Sequence, residues 1–142
     1  MTLNHSGDKI LKMKPIGVIH SPFKQRSDAP HQGIHSEKTS YILIFDEYKP
    51  GLEGMKKYRY LIILYWLDQA ERDLLKVVPH GRSKKRGVFT TRAPSRPNPV
   101  GLAVVELLNL TENKLTVKGL DAIDGTPVID IKPYSKELDY RD

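Results

Sequence analysis

Side chains able to do chemistry concentrate in three short segments, each with little backbone freedom around it. The first, Ala29-Pro-His-Gln-Gly33, is a stiff turn bearing one amide side chain, Gln32. The second runs from Pro79-His-Gly-Arg82 through Gly87-Val-Phe-Thr-Thr-Arg-Ala-Pro-Ser-Arg-Pro-Asn-Pro-Val-Gly101. Prolines at 94, 97 and 99 fix the backbone around Arg92, Arg96 and Asn98, and a loop stiffened in advance loses less entropy when it takes up a ligand. The third, Leu120-Asp-Ala-Ile-Asp-Gly-Thr-Pro127, holds two carboxylates and the strongest tight-turn signal of the chain, Asp124-Gly125. The prolines of the second segment could simply shape a corner. An arginine set between two prolines favours a ligand loop instead.

Composition and spacing exclude much else. The chain has no cysteine, so thiol nucleophiles, cysteine zinc sites, iron–sulfur clusters and disulfides are all ruled out. No G-x-G-x-x-G follows a strand and opens a helix, which argues against a Rossmann dinucleotide site. Gly51-Leu-Glu-Gly54 lacks the Lys-Ser/Thr of a phosphate loop, and no G-x-S-x-G anchors a serine hydrolase. His31 and His35 are four apart, but they flank Gly33 in a loop, where that spacing does not converge on one metal. No metal site is expected.

The net charge of +6 is unevenly distributed. Between Asp73 and Glu106 there is no acid, while Lys76, Arg82, Lys84, Lys85, Arg86, Arg92 and Arg96 supply seven cations, so the rest of the chain sums to −1. A window of one sign is the footprint of a polyanion such as nucleic acid. A solvated basic face is the alternative.

The elements that must hold these segments read as strands. A length of 142 residues suits one domain, and ten glycines with ten prolines point to strands joined by turns rather than to a helical bundle. Strand patterns cover Lys14–His20, Thr39–Asp46 and Tyr58–Leu67, the last an apolar run suited to a strand buried on both faces. Asp68–Lys76 suits one or two helical turns and Gly87–Thr90 a short strand. Val100–Leu110, the alternating Lys114–Gly119 and a last strand through Val128, Ile129 and Ile131 complete the set. The expected fold is mainly β: a small single-domain β-barrel, closed or nearly so, with short helical turns and no Rossmann unit. Residues 1–13 read as a polar tail, 14–136 as the domain and 137–142 as a short C-terminal tail without an extension domain. No signal-like or membrane-spanning apolar segment is present, and the expected location is the cytoplasm.

Taken together, the motifs resemble a known family. Ile16-Gly-Val-Ile-His-Ser-Pro-Phe23, Pro30-His-Gln-Gly33 and Tyr65-Trp-Leu-Asp-Gln69 are similar to stretches of the TsaA/TrmO-like proteins, the tRNA threonylcarbamoyladenosine N6-methyltransferases. The likeness is densest in the T-R-x-x-x-R-P-N-P-x-G signature at Thr91–Gly101 and closes with D-G-T-P-V-x-D-I-K-P-Y at Asp124–Tyr134. It covers nearly all of the chain beyond the N-terminal tail. It implies a β-barrel methyltransferase that binds S-adenosyl-L-methionine without a Rossmann fold and works as a homodimer. Its substrate would be N6 of threonylcarbamoyladenosine, beside the anticodon of tRNA. Some members carry a further C-terminal domain, and this chain stops soon after Tyr134.

The resemblance places cofactor contacts at Gln32 and Gly33, at Asp68 and Gln69, at Arg92 and Leu102, and in the third segment at Asp121, Asp124, Gly125 and Thr126. Arg92 is chemically suited to a bidentate grip on a carboxylate. Either Asp121 or Asp124 could serve ribose hydroxyls or an amino group; Asp124 also suits the first position of its turn. Asn98 could read a base edge, and His80 is a second candidate for the catalytic side, with a solvated loop histidine as its alternative. Arg82, Lys84, Lys85, Arg86 and Arg96 would hold the phosphates of the anticodon arm. Tyr65 and Trp66 could stack on a base, although aromatic residues in an apolar strand also suit a core. Two other readings stay open: an RNA-binding barrel without catalysis, and a methyltransferase of the same fold acting on another acceptor.

Overall fold

The computed structural model describes residues 9–24, 37–67, 70, 74–78 and 84–142. Its strands, in chain order, are β1 (Gly17–His20), β2 (Thr39–Ile44), β3 (Tyr60–Trp66), β4 (Lys76–Val77), β5 (Arg86–Gly87), β6 (Val100–Thr111), β7 (Lys114–Lys118) and β8 (Pro127–Pro133). Six of them close into a barrel in the order β1-β2-β7-β6-β3-β8, with every neighbour antiparallel. β4 and β5 form a small separate ribbon. Three 3-10 turns (Asp46–Leu52, Met55–Lys57 and Val88–Thr90) and the four-residue helix α1 (Lys136–Asp139) are the helical elements among the described residues. No helix there is long and apolar enough to cross a membrane.

Alternation along each strand sends one set of side chains inward. Leu115 and Val117 of β7, Leu61 and Ile63 of β3, Ile19 and Ile42 are fully buried in one shared core. β3 departs from the expectation of a strand covered on both faces. Its Ile62, Leu64 and Trp66 point outward and are only half-buried, because a closed barrel has a single interior. Two further expectations shift. Of Gly87–Thr90 only Gly87 is in a strand, as the second residue of β5, and the chain then coils so that Val88 can be buried. Lys76 opens a strand rather than ending a helical turn, and β1 and β2 are shorter than their apolar patterns.

β6 is the longest strand, with 12 residues, and it serves two neighbours over its two halves. Val100–Glu106 pairs with β3 and Glu106–Thr111 pairs with β7. A register shift between Leu107 and Asn109 leaves Leu108 unpaired, and an extra residue of this kind bends a strand around a barrel.

The barrel closes where β1 meets β8, a seam with only two paired positions, Gly17↔Val128 and Val18↔Pro127. Backbone bonds extend it: the Ile16 N–H donates to the Val128 carbonyl at 2.8 Å and the Ile19 N–H to the Thr126 carbonyl at 2.9 Å. On its other side Gly17 faces Ile44, and a side chain there would strike the backbone carbonyl oxygen of Leu43. Gly17→Ala is expected to cost about 1–3 kcal/mol, because backbone cannot yield as a flexible side chain can. Urea unfolding checks this, and an unchanged midpoint would mean that the seam has slack.

Candidate functional site

Antiparallel closure gathers the described parts of the motif segments at one end of the barrel. β1 and β3 end there, and β6 and β8 begin there. A cleft of about 370 Å³ lined by Ile16, Tyr48, Leu52, Met55, Asp130 and Ile131 lies at the opposite end and belongs to a different surface.

The exit of β1 is bound to the third segment by side chains about a hundred residues away in sequence. Ser21 Oγ donates to the Ala122 carbonyl at 2.7 Å and accepts the Phe23 N–H at 3.2 Å. The Asp124 carboxylate accepts from the Ser21 N–H and from Lys24 Nζ, both at 3.0 Å, and lies 3.4 Å from His20 Nδ1. The Lys24 ammonium, with help from the Ser21 N–H, holds the Asp124 carboxyl below the usual carboxylate range. The Asp124 N–H bonds the Phe23 carbonyl, the Gly125 N–H bonds the Ile19 carbonyl, and Gly125 adopts φ +91°. Thr126 is buried, with its hydroxyl donating to the Ile123 carbonyl at 2.6 Å. In this frame Asp124, Gly125 and Thr126 fasten the start of the β1–β2 connection.

Asp121 has a different environment. Tyr65, the last inward residue of β3, donates its hydroxyl to Asp121 Oδ1. Burial pushes the Asp121 carboxyl above its ordinary range, and the Tyr65 hydrogen bond partly offsets that rise. Burial, followed by the charge of Asp121, pushes the Tyr65 phenol far upward, so it stays a donor. Tyr65 is thus core, not a platform for a base. Its cross-strand partner is Gly101 of the signature loop, where an added methyl would overlap the ring, 2.7 Å from Tyr65 Cζ.

The signature loop is braced from within. Arg96 Nη1 donates to the carbonyls of Thr91 and Ala93 at 3.0 and 2.9 Å, so this half-buried arginine folds back onto its own loop rather than joining the exposed cations. The Leu67 N–H bonds the carbonyl of buried Pro99, which ties the loop to the end of β3. Arg92 and Asn98 remain exposed beside this braced backbone. Lys84, Lys85 and Arg86 are exposed in a row, and Arg86 Nη2 reaches the Thr90 carbonyl at 3.3 Å. Leu102, 49% exposed, stands on the outer wall opposite Leu64, with Val104 opposite Ile62 and Val100 opposite Trp66. Gln32, Gly33, Asp68, Gln69, His80 and Arg82, and the pair His31 and His35, lie outside the described residues. Sequence reasoning missed the roles of Ser21, Lys24 and Tyr65, whose partners are remote in sequence.

The family of tRNA-methyltransferase O N-terminal domains matches residues 18–140. The chain belongs to this family. An S-adenosyl-L-methionine-binding protein of Archaeoglobus fulgidus is 59% identical over 127 residues, which cover 89% of this chain and 91% of that protein. A probable S-adenosyl-L-methionine-binding protein of Methanothermobacter thermautotrophicus is 56% identical over 132 residues, 93% of this chain and 96% of that one. A crystal structure of TrmO superposes with a TM-score of 0.78 at 34% identity, covering 92% of this chain and 60% of the other. TrmO from Pseudomonas aeruginosa gives 0.78 at 31% identity, covering 92% of this chain and 59% of that one. The chain therefore spans about 60% of the length of these solved relatives, and the family's barrel is the part it shares with them.

Tyr65→Phe removes the donor from a half-buried carboxylate and is expected to cost about 1–3 kcal/mol at neutral pH. Without the hydroxyl, the folded-state pKa of Asp121 rises further, so the cost is greatest where Asp121 is ionised. It shrinks as pH falls towards the unfolded-state value of an aspartate. Urea unfolding at pH 7 and pH 4 measures the difference. A loss of equal size at both would reduce Tyr65 to packing.

Proposed function

We propose that this chain is an S-adenosyl-L-methionine-dependent methyltransferase that acts on tRNA, at N6 of threonylcarbamoyladenosine beside the anticodon. The observation that carries this reading is the placement, at one barrel end, of an exposed arginine on a braced proline loop, a half-buried carboxylate held by a tyrosine, and an exposed row of cations. Family membership and the names of the relatives support the cofactor and the RNA class.

The residues fit the cofactor chemically. Arg92 offers a guanidinium for a carboxylate, Asp121 an acceptor for hydroxyl or ammonium groups, and Leu102 with Leu64 an apolar wall. When bound, the cofactor supplies an electrophilic methyl group on a sulfonium. The protein's share of the work is then to orient donor and acceptor, which braced loops do at small entropic cost. Ser21 and Asp124 act by holding the start of the β1–β2 connection, where the family's Gln32-Gly33 contacts are expected. Lys84, Lys85 and Arg86 take the phosphates. A tRNA substrate fits a cytoplasmic location, and residues 14–136 form the domain in this reading.

We further read the outer wall of β3 and β6 as the homodimer contact. Two directly opposed apolar pairs, Ile62/Val104 and Trp66/Val100, flank the Leu64/Leu102 pair given to the cofactor and form with it a patch that exceeds scattered surface apolar residues.

Incubation with methyl-labelled cofactor and tRNA carrying or lacking threonylcarbamoyladenosine tests the substrate. Label is expected only in the modified tRNA; transfer to both would leave a methyltransferase with another acceptor. Arg92→Ala is expected to weaken cofactor binding in calorimetry about ten-fold or more, the scale of one charge-assisted contact. Lys84→Ala/Lys85→Ala should leave cofactor affinity alone while lowering tRNA affinity and its salt dependence. Loss of tRNA binding alone in both variants would overturn this division of roles.

A further inference from the structure

Phe89 is 77% exposed, the most exposed aromatic residue among those described. Solvent exposure of a whole phenyl ring is unfavourable, and here the backbone is built to maintain it. The preceding residue, Val88, is buried at 1% and its N–H bonds the Leu75 carbonyl, so it occupies the inward position. The turn around the ring is closed by four bonds. Thr90 Oγ1 donates to the Gly87 carbonyl at 2.7 Å, and Thr91 Oγ1 and the Thr91 N–H donate to the Val88 carbonyl at 2.8 and 3.0 Å. The fourth runs from Arg86 Nη2 to the Thr90 carbonyl. Three other exposed aromatic rings are partly covered, Tyr41 by Lys114 and His20, Tyr58 by Lys57, and Tyr60 by Arg59 and Tyr134, while Phe45 and Tyr140 are less exposed than Phe89, at 40% and 53%. Phe89 has no ring or cation partner of this kind among the described residues.

Its surroundings carry one sign of charge. Lys76, Lys84, Lys85, Arg86 and Arg92 are exposed on the same ribbon and turn, and no acid lies between Asp73 and Glu106. Exposed Leu75 and Val78 extend the apolar strip. A second copy seated here about a two-fold axis would set the cations of one ribbon against those of the other, which opposes association. A polyanion with flat apolar faces satisfies both features at once. We propose that the β4–β5 ribbon and the Val88–Thr90 turn after it form a platform for single-stranded RNA, with an unpaired base stacked on Phe89 and the flanking phosphates on Lys84, Lys85 and Arg86. This rests on the tRNA reading above and assigns that substrate a contact residue outside the family's cofactor positions.

The test uses the full chain and two RNA probes, a hairpin with an unpaired loop and a fully paired duplex, titrated over a salt series. Phe89→Ala is expected to weaken hairpin binding about ten-fold at every salt concentration, with the salt slope unchanged, because stacking is not a counterion effect. Phe89→Trp should retain affinity, and duplex binding should not distinguish the variants. Lys84→Ala/Lys85→Ala should lower the salt slope for both probes. Wild-type affinity of Phe89→Ala for the hairpin, in a wild-type protein that does bind it, overturns the platform and leaves the tRNA reading standing. A shift of Phe89→Ala in sedimentation from dimer to monomer makes a second copy the occupant and also overturns it. Failure of the wild-type chain to bind either RNA rejects both readings.

Discussion

Everything at the site end depends on closure of the barrel between β1 and β8. That seam is short in strand pairing and is completed by side chains: Ser21, Lys24 and Asp124 continue it where the ladder stops. A six-stranded barrel has no spare edge, so an unclosed seam would expose two unpaired strands and the core behind them. The same bonds that finish the barrel also position the end of β1 against the third segment. Fold stability and site geometry are therefore one interaction at this place. A change that loosens one loosens the other.

The barrel divides the work of its residues by direction. Inward positions hold an aliphatic core with polar incursions at Ser40 of β2 and at the Tyr65 hydroxyl, which meets Asp121 near the site end. The outward residues Ile62, Leu64 and Trp66 of β3 and Val100, Leu102 and Val104 of β6 are apolar as well. Charge is handled separately. The described cations Lys76, Lys84, Lys85, Arg86 and Arg92 lie on the ribbon and loop between β3 and β6, in a stretch that holds no acid from Leu74 to Val105. Burial raises the Asp121 carboxyl, and the Tyr65 hydroxyl offsets part of that cost.

Much of the fold was legible in the chain. The strict alternation of Leu115 and Val117 against Thr116 and Lys118 identifies β7, and the turn residues Asp124-Gly125 mark the step before β8, because both signals are local. The apolar run of β3 was less legible. Outward Ile62, Leu64 and Trp66 are as apolar as inward Leu61 and Ile63, so periodicity could not tell a doubly covered strand from a barrel wall. Arg92 and Arg96 look alike in sequence, four apart in one proline-rich loop. Only the folded loop turns Arg96 onto the carbonyls of Thr91 and Ala93 and leaves Arg92 exposed.

The sequence by itself determined the β-rich character, the exclusion of thiol chemistry, the basic window and the three motif segments that mark the family. These are properties of residue type and spacing along the chain, and they need no knowledge of what lies across the barrel. Tertiary structure alone decided that Tyr65 belongs to Asp121, that Gly101 must lack a side chain to admit the Tyr65 ring, and that Asp124 is a fastener for Ser21 and Lys24. It also decided that Phe89 faces solvent while Val88 does not. Each depends on partners far apart in sequence, or on which of two neighbouring residues wins the one inward position. Such competition is settled by packing, and a linear pattern does not carry it.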